Sequence, residues 1–315
     1  MTTGAPRGRI VILEGLPGSG KSTTAHLLRL HLQDVGLDAR WWWEHEQPHP
    51  IFDYSVIQEA LDDGLLQAGL FERAIGNWQK VVRKAEWVVL DGSFFQTPLH
   101  AMLLLDWDPD GVAEYIRHVE AVLTAAQPLI VLLQAADPAA ALAETAASRG
   151  DWFMELLEWR IRHSAYGCRR GLAGVLGVTR YFAAYSELVD RLAAQLVLPV
   201  LTLRGAKSAF VDRISAALGL PPSTGFEPAP PAAGVLVGAY RAADADDCYR
   251  VVMDGADLWL DGVPRTRLIP RHGLLFELVG TCVTFEFRCD AAGRAEGLRC
   301  LGNLPGLVRD WVRVA

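Results

Sequence analysis

The chain has 315 residues, 51% of them hydrophobic and 21% charged, which excludes disorder for most of its length and leaves apolar mass for one large or two smaller domains. Thirty basic residues stand against 37 acidic ones, and the resulting −7 is the wrong sign for broad binding to nucleic acid or to an anionic membrane. Lysine is scarce: Lys21, Lys80, Lys84 and Lys207 are the whole complement, so a lysine at a chemically meaningful place stands out.

The opening MTTGAPRGRIVIL holds an apolar stretch too short for secretion, and no apolar run elsewhere nears the roughly 20 residues of a membrane span. Five cysteines (Cys168, Cys248, Cys282, Cys289 and Cys300) include no CxxC pair. That pattern predicts reduced thiols in a cytoplasmic protein, with no disulfide or zinc framework.

From residue 9 to about residue 220, short apolar runs alternate with longer helical stretches. Strands are predicted at 10–13, 39–43, 87–90, 129–133 and 200–203, nearly continuous in apolar residues as expected where helices cover both faces. Helical stretches fall at 23–33, 99–105, 138–148, 152–162, 186–196 and 208–218, and Asp137-Pro138 is a sound helix start. The alternation predicts a doubly wound, parallel five-stranded α/β domain over residues 1–222. A segment rich in Pro and Gly then reads as a linker, placed at 223–233. Over 234–315 short, partly alternating runs separated by Asp254-Gly255, Asp261-Gly262 and Ala292-Gly293 predict an antiparallel sheet or small closed barrel of about eight strands.

One motif carries most of the chemistry. Gly15-Leu16-Pro17-Gly18-Ser19-Gly20-Lys21-Ser22 matches G-x-x-x-x-G-K-[ST] between a predicted strand and a predicted helix. Such a loop turns successive backbone N–H groups onto a phosphate, and the helix N-terminus adds its dipole. Lys21 then reaches the β- and γ-phosphates, and the Ser22 hydroxyl serves Mg²⁺.

With these landmarks the chain resembles the nucleotide and nucleoside kinase branch of the P-loop proteins, most closely the thymidylate kinase-like proteins. The resemblance runs over about residues 9–220. Glu14-Gly15 through Ser22-Thr23 look like that family's EG…GKST loop, and Asp91-Gly92-Ser93 falls where the family has DR[YS] at a strand end. Residues 129–133, Asp137-Pro138 and Arg149-Gly150 resemble its fourth strand, the next helix start and an arginine-bearing lid. Arg204 through Lys207 resemble the loop beside the adenine. The resemblance implies ATP or GTP with Mg²⁺, held by Gly15, Pro17, Gly18, Ser19, Gly20, Lys21, Ser22, Thr23, Arg204 and Lys207, with Ser22 and Asp91 toward the metal. It also gives Arg149 the part of a cation on the transferring phosphoryl group.

Two departures redirect the acceptor. Gly92 stands where the family has the arginine that holds an acceptor phosphate, and Glu44-His45-Glu46-Gln47-Pro48 replaces its compact E-P pair. Both shift the expectation toward a free hydroxyl, as in nucleoside kinases and the small P-loop kinases that inactivate antibiotics. A hydroxyl acceptor needs a carboxylate to take its proton. Asp91, Glu44 and Glu46 stand at strand ends where an open α/β sheet places its site; Asp91 is equally open to holding a metal-bound water, which leaves the base to Glu44 or Glu46. Trp43, Phe94 and Phe95 are candidates to stack on a flat acceptor, with sheet–helix packing as the plainer reading of the Trp41–Trp43 run. Arg169, in a Gly-flanked pair with Arg170, is a candidate contact on a hinged segment, while Arg160 and Arg162 read as the polar face of a helix.

The expected activity is transfer of a phosphoryl group to a hydroxyl of a nucleoside, nucleoside-like compound or antibiotic. A nucleoside monophosphate kinase and a P-loop regulatory ATPase with a partner-binding β-domain are the alternatives. The expected partner is a small-molecule acceptor, with neither nucleic acid nor membrane. The β-domain carries no chemical constellation; it shapes the acceptor pocket, mediates homodimerisation or binds a regulator.

Overall fold

A computed structural model describes residues 10–44, 46, 48–53, 57, 68–84, 86–223, 233–242, 248–262, 265–281, 283–302 and 308–314. The chain divides into two compact units, Met1–Ser223 and Thr224–Ala315. The stretch read as a linker lies outside the described residues except at its ends, as do His45, Gln47 and Cys282.

The first unit follows the order β1 (Ile10–Gly15), α1 (Lys21–Asp34), β2 (Ala39–Trp42), α2 (Ala68–Val82), β3 (Trp87–Asp91), α3 (Gln96–Leu104), α4 (Pro109–Leu123), β4 (Leu129–Leu133), α5 (Pro138–Arg149), α6 (Asp151–His163), α7 (Ala165–Arg170), α8 (Gly174–Ala193), β5 (Val200–Leu203) and α9 (Phe210–Ala217). The strands pair in parallel in the order β2-β3-β1-β4-β5. Parallel strands need crossover helices, which cover both faces, and the apolar runs of β1, β3 and β4 are buried almost without a break. Register does the positioning. Leu13 lies opposite Asp91, and the Gly92 N–H donates to the Leu13 carbonyl at 2.9 Å, so the loop after β1 and the end of β3 open side by side.

One large core lies under α2, α3, α4 and the second half of α8, with Trp78, Phe94, Phe95 and Leu99 fully enclosed. A smaller one joins α5 to α8 around Phe153, Leu157, Ile161, Val178 and Tyr181. The three tryptophans divide as strand alternation requires. Trp41 is buried and stacks on His26 of α1 at 5.0 Å, whereas Trp42 turns to the opposite face beneath the Arg40 guanidinium.

Helices α2, α4 and α7 lie outside the stretches that periodicity marks. Pro109 in the first turn of α4 is the same start signal that reveals α5 at Pro138. Helix α8 begins at Gly174, well before residue 186, because Gly177 does not break it: a Cβ there would stand 2.9 Å from the Leu172 carbonyl carbon, so glycine is needed for close packing.

In the second unit β6 (Gly238–Ala242), β7 (Cys248–Asp254), β8 (Asp257–Asp261), β9 (Thr266–His272), β10 (Leu275–Leu278), β11 (Val283–Cys289), β12 (Ala295–Gly302) and β13 (Val308–Val314) form a closed antiparallel barrel. Each strand pairs with its neighbours in sequence, and β13 closes on β6 with Trp311 opposite Ala242. The interior is filled by Tyr240, Leu258, Phe276, Phe285, Phe287, Leu298 and Trp311, which makes it a packed core of ordinary size for eight strands. Among the described residues no disulfide joins the cysteines, and no helix is long and apolar enough to cross a membrane.

Candidate active site

The loop between β1 and α1 is built to hold an anion. Helix α1 opens at Lys21 with no side-chain cap and no acidic residue in its first turn, so its first N–H groups remain for a ligand. Lys21 is buried and folds back on the Leu16 carbonyl at 3.4 Å; the buried Ser19 hydroxyl has no partner. Gly18 takes φ +81°, and a Cβ there would meet the Thr145 hydroxyl and stand 2.6 Å from the Ala141 carbonyl, so α5 lies directly on the loop. Arg149 is the next residue along the 141–145 face of α5, its guanidinium 4.8 Å from the Phe153 ring. Gly18→Ala is expected to cost about 1–2 kcal/mol from the backbone conformation alone, and more from the contact with α5. Thermal unfolding of the variant measures it.

Beside the loop stand three carboxylates. Asp91, fully buried, has no hydrogen-bond partner of ordinary geometry on either oxygen. Burial pushes its carboxyl well up and the neighbouring Glu44 adds to that, while Lys21 and the nearby Ser22 hydroxyl hold it down. Glu44 pairs with the Gln96 amide and lies against Gly92. Glu14 closes the other side, accepting N–H bonds from Phe94 (2.7 Å), Phe95 (3.0 Å) and Gln96 (2.9 Å), and so ties β1 to the start of α3.

Burial raises the Glu14 carboxyl from 4.5 to about 7, against those three bonds and Lys21. The folded protein then keeps a proton that the unfolded chain releases, so stability falls as pH rises between these two values. Glu14→Gln is expected to flatten that slope. The variant should also lose about 1–3 kcal/mol, because an amide NH₂ replaces an oxygen that accepts an N–H. Denaturant unfolding across about pH 4 to 8 tests both.

A polar cluster lies beyond Glu44. His100 of α3 is buried, with Nδ1 2.8 Å from the Tyr181 hydroxyl; burial first, then the Arg160 cation, lowers its pKa to about 4, against Glu44. Arg160 is half-buried with its Nε enclosed, and its charge acts on His100 and Tyr181, so it does not lie wholly on the outer polar face that its helix pattern suggested. Gln96 and His100 are site residues that the sequence did not single out; it offered Glu14 only as the first residue of the loop motif and Arg160 only as part of a helix's polar face.

The other expected positions separate. Glu46 pairs with Arg40 at 3.4 Å. Phe94 and Phe95 are buried in the core and pack on each other at 4.6 Å, while Trp43 is half-buried just past β2. Arg169 and Arg170 are both held by Asp106, at 2.5 and 2.8 Å. Arg204 donates to the Gln134 amide oxygen at 2.6 and 2.9 Å, and the Lys207 side chain lies along Gly20. Thr23 is exposed on the first turn of α1, and Pro17 is half-buried in the loop. Phe95 and Arg204 also border a cavity of about 380 Å³ that reaches Glu14, Leu16, Leu133 and Tyr185.

Among the described residues no cage of three or more His, Cys, Asp or Glu side chains is formed. Mg²⁺ needs none, since it is commonly held by one or two carboxylates together with substrate phosphates and water. The unpartnered oxygens of Asp91, beside the Ser22 hydroxyl, are the oxygen donors that fit it.

Sheet order and loop together define a parallel α/β domain with a phosphate-binding type of loop after its first strand, followed by an eight-stranded antiparallel barrel. No family model and no curated protein matches the chain. Among solved structures it is similar to a deoxyadenosine kinase from M. mycoides with bound dATP, at 14% identity and a TM-score of 0.39, over 67% of this chain and 99% of that one.

Proposed function

We propose that the chain is an Mg²⁺-dependent phosphotransferase that moves the γ-phosphoryl group of ATP or GTP to a hydroxyl of a small molecule, a nucleoside, nucleoside-like compound or antibiotic. The observation that carries the reading is the buried pair at the head of the sheet, Lys21 in the loop and Asp91 with both oxygens unsatisfied. A buried carboxylate left without partners is costly unless a ligand completes it. In the transfer an acceptor O–P bond forms and the bond from the γ-phosphorus to the bridging oxygen breaks; the acceptor proton passes to a carboxylate. Lys21 and the loop N–H groups hold the phosphates. Asp91 and Ser22 would hold Mg²⁺, which supplies charge to the phosphate oxygens when bound. Glu44, fixed by Gln96, is then the carboxylate left to take the proton.

Gly92 favours a hydroxyl over a phosphate acceptor. It takes φ +65°, and a Cβ there would stand 3.0 Å from Glu44 Oε2 and 3.2 Å from the Gln96 amide, so no long cation is accommodated at that position. A nucleoside monophosphate kinase is the second reading because Arg160 brings a cation close enough to act on His100, which Glu44 also influences.

The test is a mass-spectrometric screen of nucleosides, nucleotides and antibiotics with ATP or GTP for a gain of one phosphate. Gain on unphosphorylated compounds supports the first reading, and gain on monophosphates alone supports the second. Hydrolysis with no acceptor across the panel sinks both and favours a regulatory ATPase.

A further inference from the structure

Ten large apolar side chains are exposed among the described residues, and five of them gather on two packed helices: Trp152, Leu156 and Trp159 on α6, Val175 and Leu176 at the start of α8. The spacing 152, 156, 159 draws one stripe along α6, while Phe153, Leu157 and Ile161 are buried on its other side. His163 continues the stripe with its ring 5.1 Å from Trp159. The Gly174 N–H donates to Glu158 at 3.0 Å, which docks the start of α8 on the flank of α6 and extends the patch. An exposed run of this kind, rich in tryptophan, marks a recognition surface.

Charge says what covers it. Asp151 and Glu155 lie in the first half of α6, and Arg162 and His163 in its last turn. At 100° per residue, Glu155 and Arg162 sit on the same edge of the stripe two turns apart. Neither forms an ion pair with a described residue. A helix of this polarity is complementary to its own reversed copy. An antiparallel two-fold pairing centred between Leu157 and Glu158 sets Leu156 against the partner's Trp159 and Trp152 against the partner's His163, and brings Glu155 within two residues of level with the partner's Arg162 on the same edge. Each contact occurs twice, as an isologous interface requires.

We infer that the exposed stripe of α6 is the two-fold interface of a homodimer, its occupant a second copy of this chain. Light scattering on the full chain over a dilution series should show a monomer–dimer equilibrium. Leu156→Glu, at an exposed position, should leave only monomer with an unchanged circular dichroism spectrum. Glu155→Arg and Arg162→Glu should each weaken the dimer about three- to tenfold, and the double variant should recover, because every reversed pair is again of opposite sign. A monomer at every concentration, from an unfilled stripe or one covered within the chain, overturns the inference. So does a dimer that survives Leu156→Glu, or a double variant weaker than either single one.

Discussion

Lys21→Ala is expected to lower phosphoryl transfer by about 10²–10³-fold while the fold stays intact. The size follows from the role proposed for the side chain: a preorganised cation in a buried loop would act on developing phosphate charge at far more than its value in water, and one lost donor of this kind costs about 10²–10³. The fold should survive because Lys21 makes one long bond to the Leu16 carbonyl and sits among loop backbone, not in the apolar core. Steady-state kinetics beside a circular dichroism spectrum separates the two effects. Turnover unchanged from the wild type would remove the kinase reading altogether.

Asp91→Asn carries the second large effect, a loss of about 10²–10⁴ in turnover whether the residue serves Mg²⁺ or takes a proton. Comparison with Glu44→Gln tells these roles apart. If Asp91 serves the metal and Glu44 the proton, Asp91→Asn should raise the Mg²⁺ concentration needed for half-maximal nucleotide binding, and Glu44→Gln should not. Glu44→Gln has a further consequence because the Glu44 charge adds to the burial that raises Asp91. With that charge gone Asp91 should ionise at lower pH, so the acid limb of Mg²⁺-nucleotide binding should move down. Titration of binding against pH, followed by calorimetry, reads the shift. An acid limb that stays in place would show that the two carboxylates do not communicate.

The parts of the molecule legible in the sequence are those coded by near neighbours. The loop could be read because its eight residues make the cradle by themselves, and the five strands because each is a continuous apolar run. Turn dipeptides between short alternating runs likewise pointed to a barrel. What the sequence hid depends on distant partners. Glu14 holds N–H groups more than 80 positions away, and nothing beside it reveals them. Arg160 has a helical position that suits solvent, and only the packing of α6 on α8 encloses its Nε and lets its charge act on His100 and Tyr181. Phe94 and Phe95 were candidates for stacking on a flat ring because aromatic faces bind planar groups; the turn into α3 buries both in the core, where Phe95 still borders the cavity.

The barrel's last seam has a consequence for how the protein is made and how it can fail. Seven of its eight strand junctions join consecutive strands, but the eighth needs β13, the final element, to reach back to β6. On the ribosome the α/β unit has all its strands by Leu203, whereas the barrel cannot shut until Val314 has emerged. Truncation before Val308 would therefore bare two unpaired edges, on β6 and β12, each a template for joining another chain. Nonsense and frameshift lesions in this short stretch are expected to yield aggregates rather than a merely shortened protein.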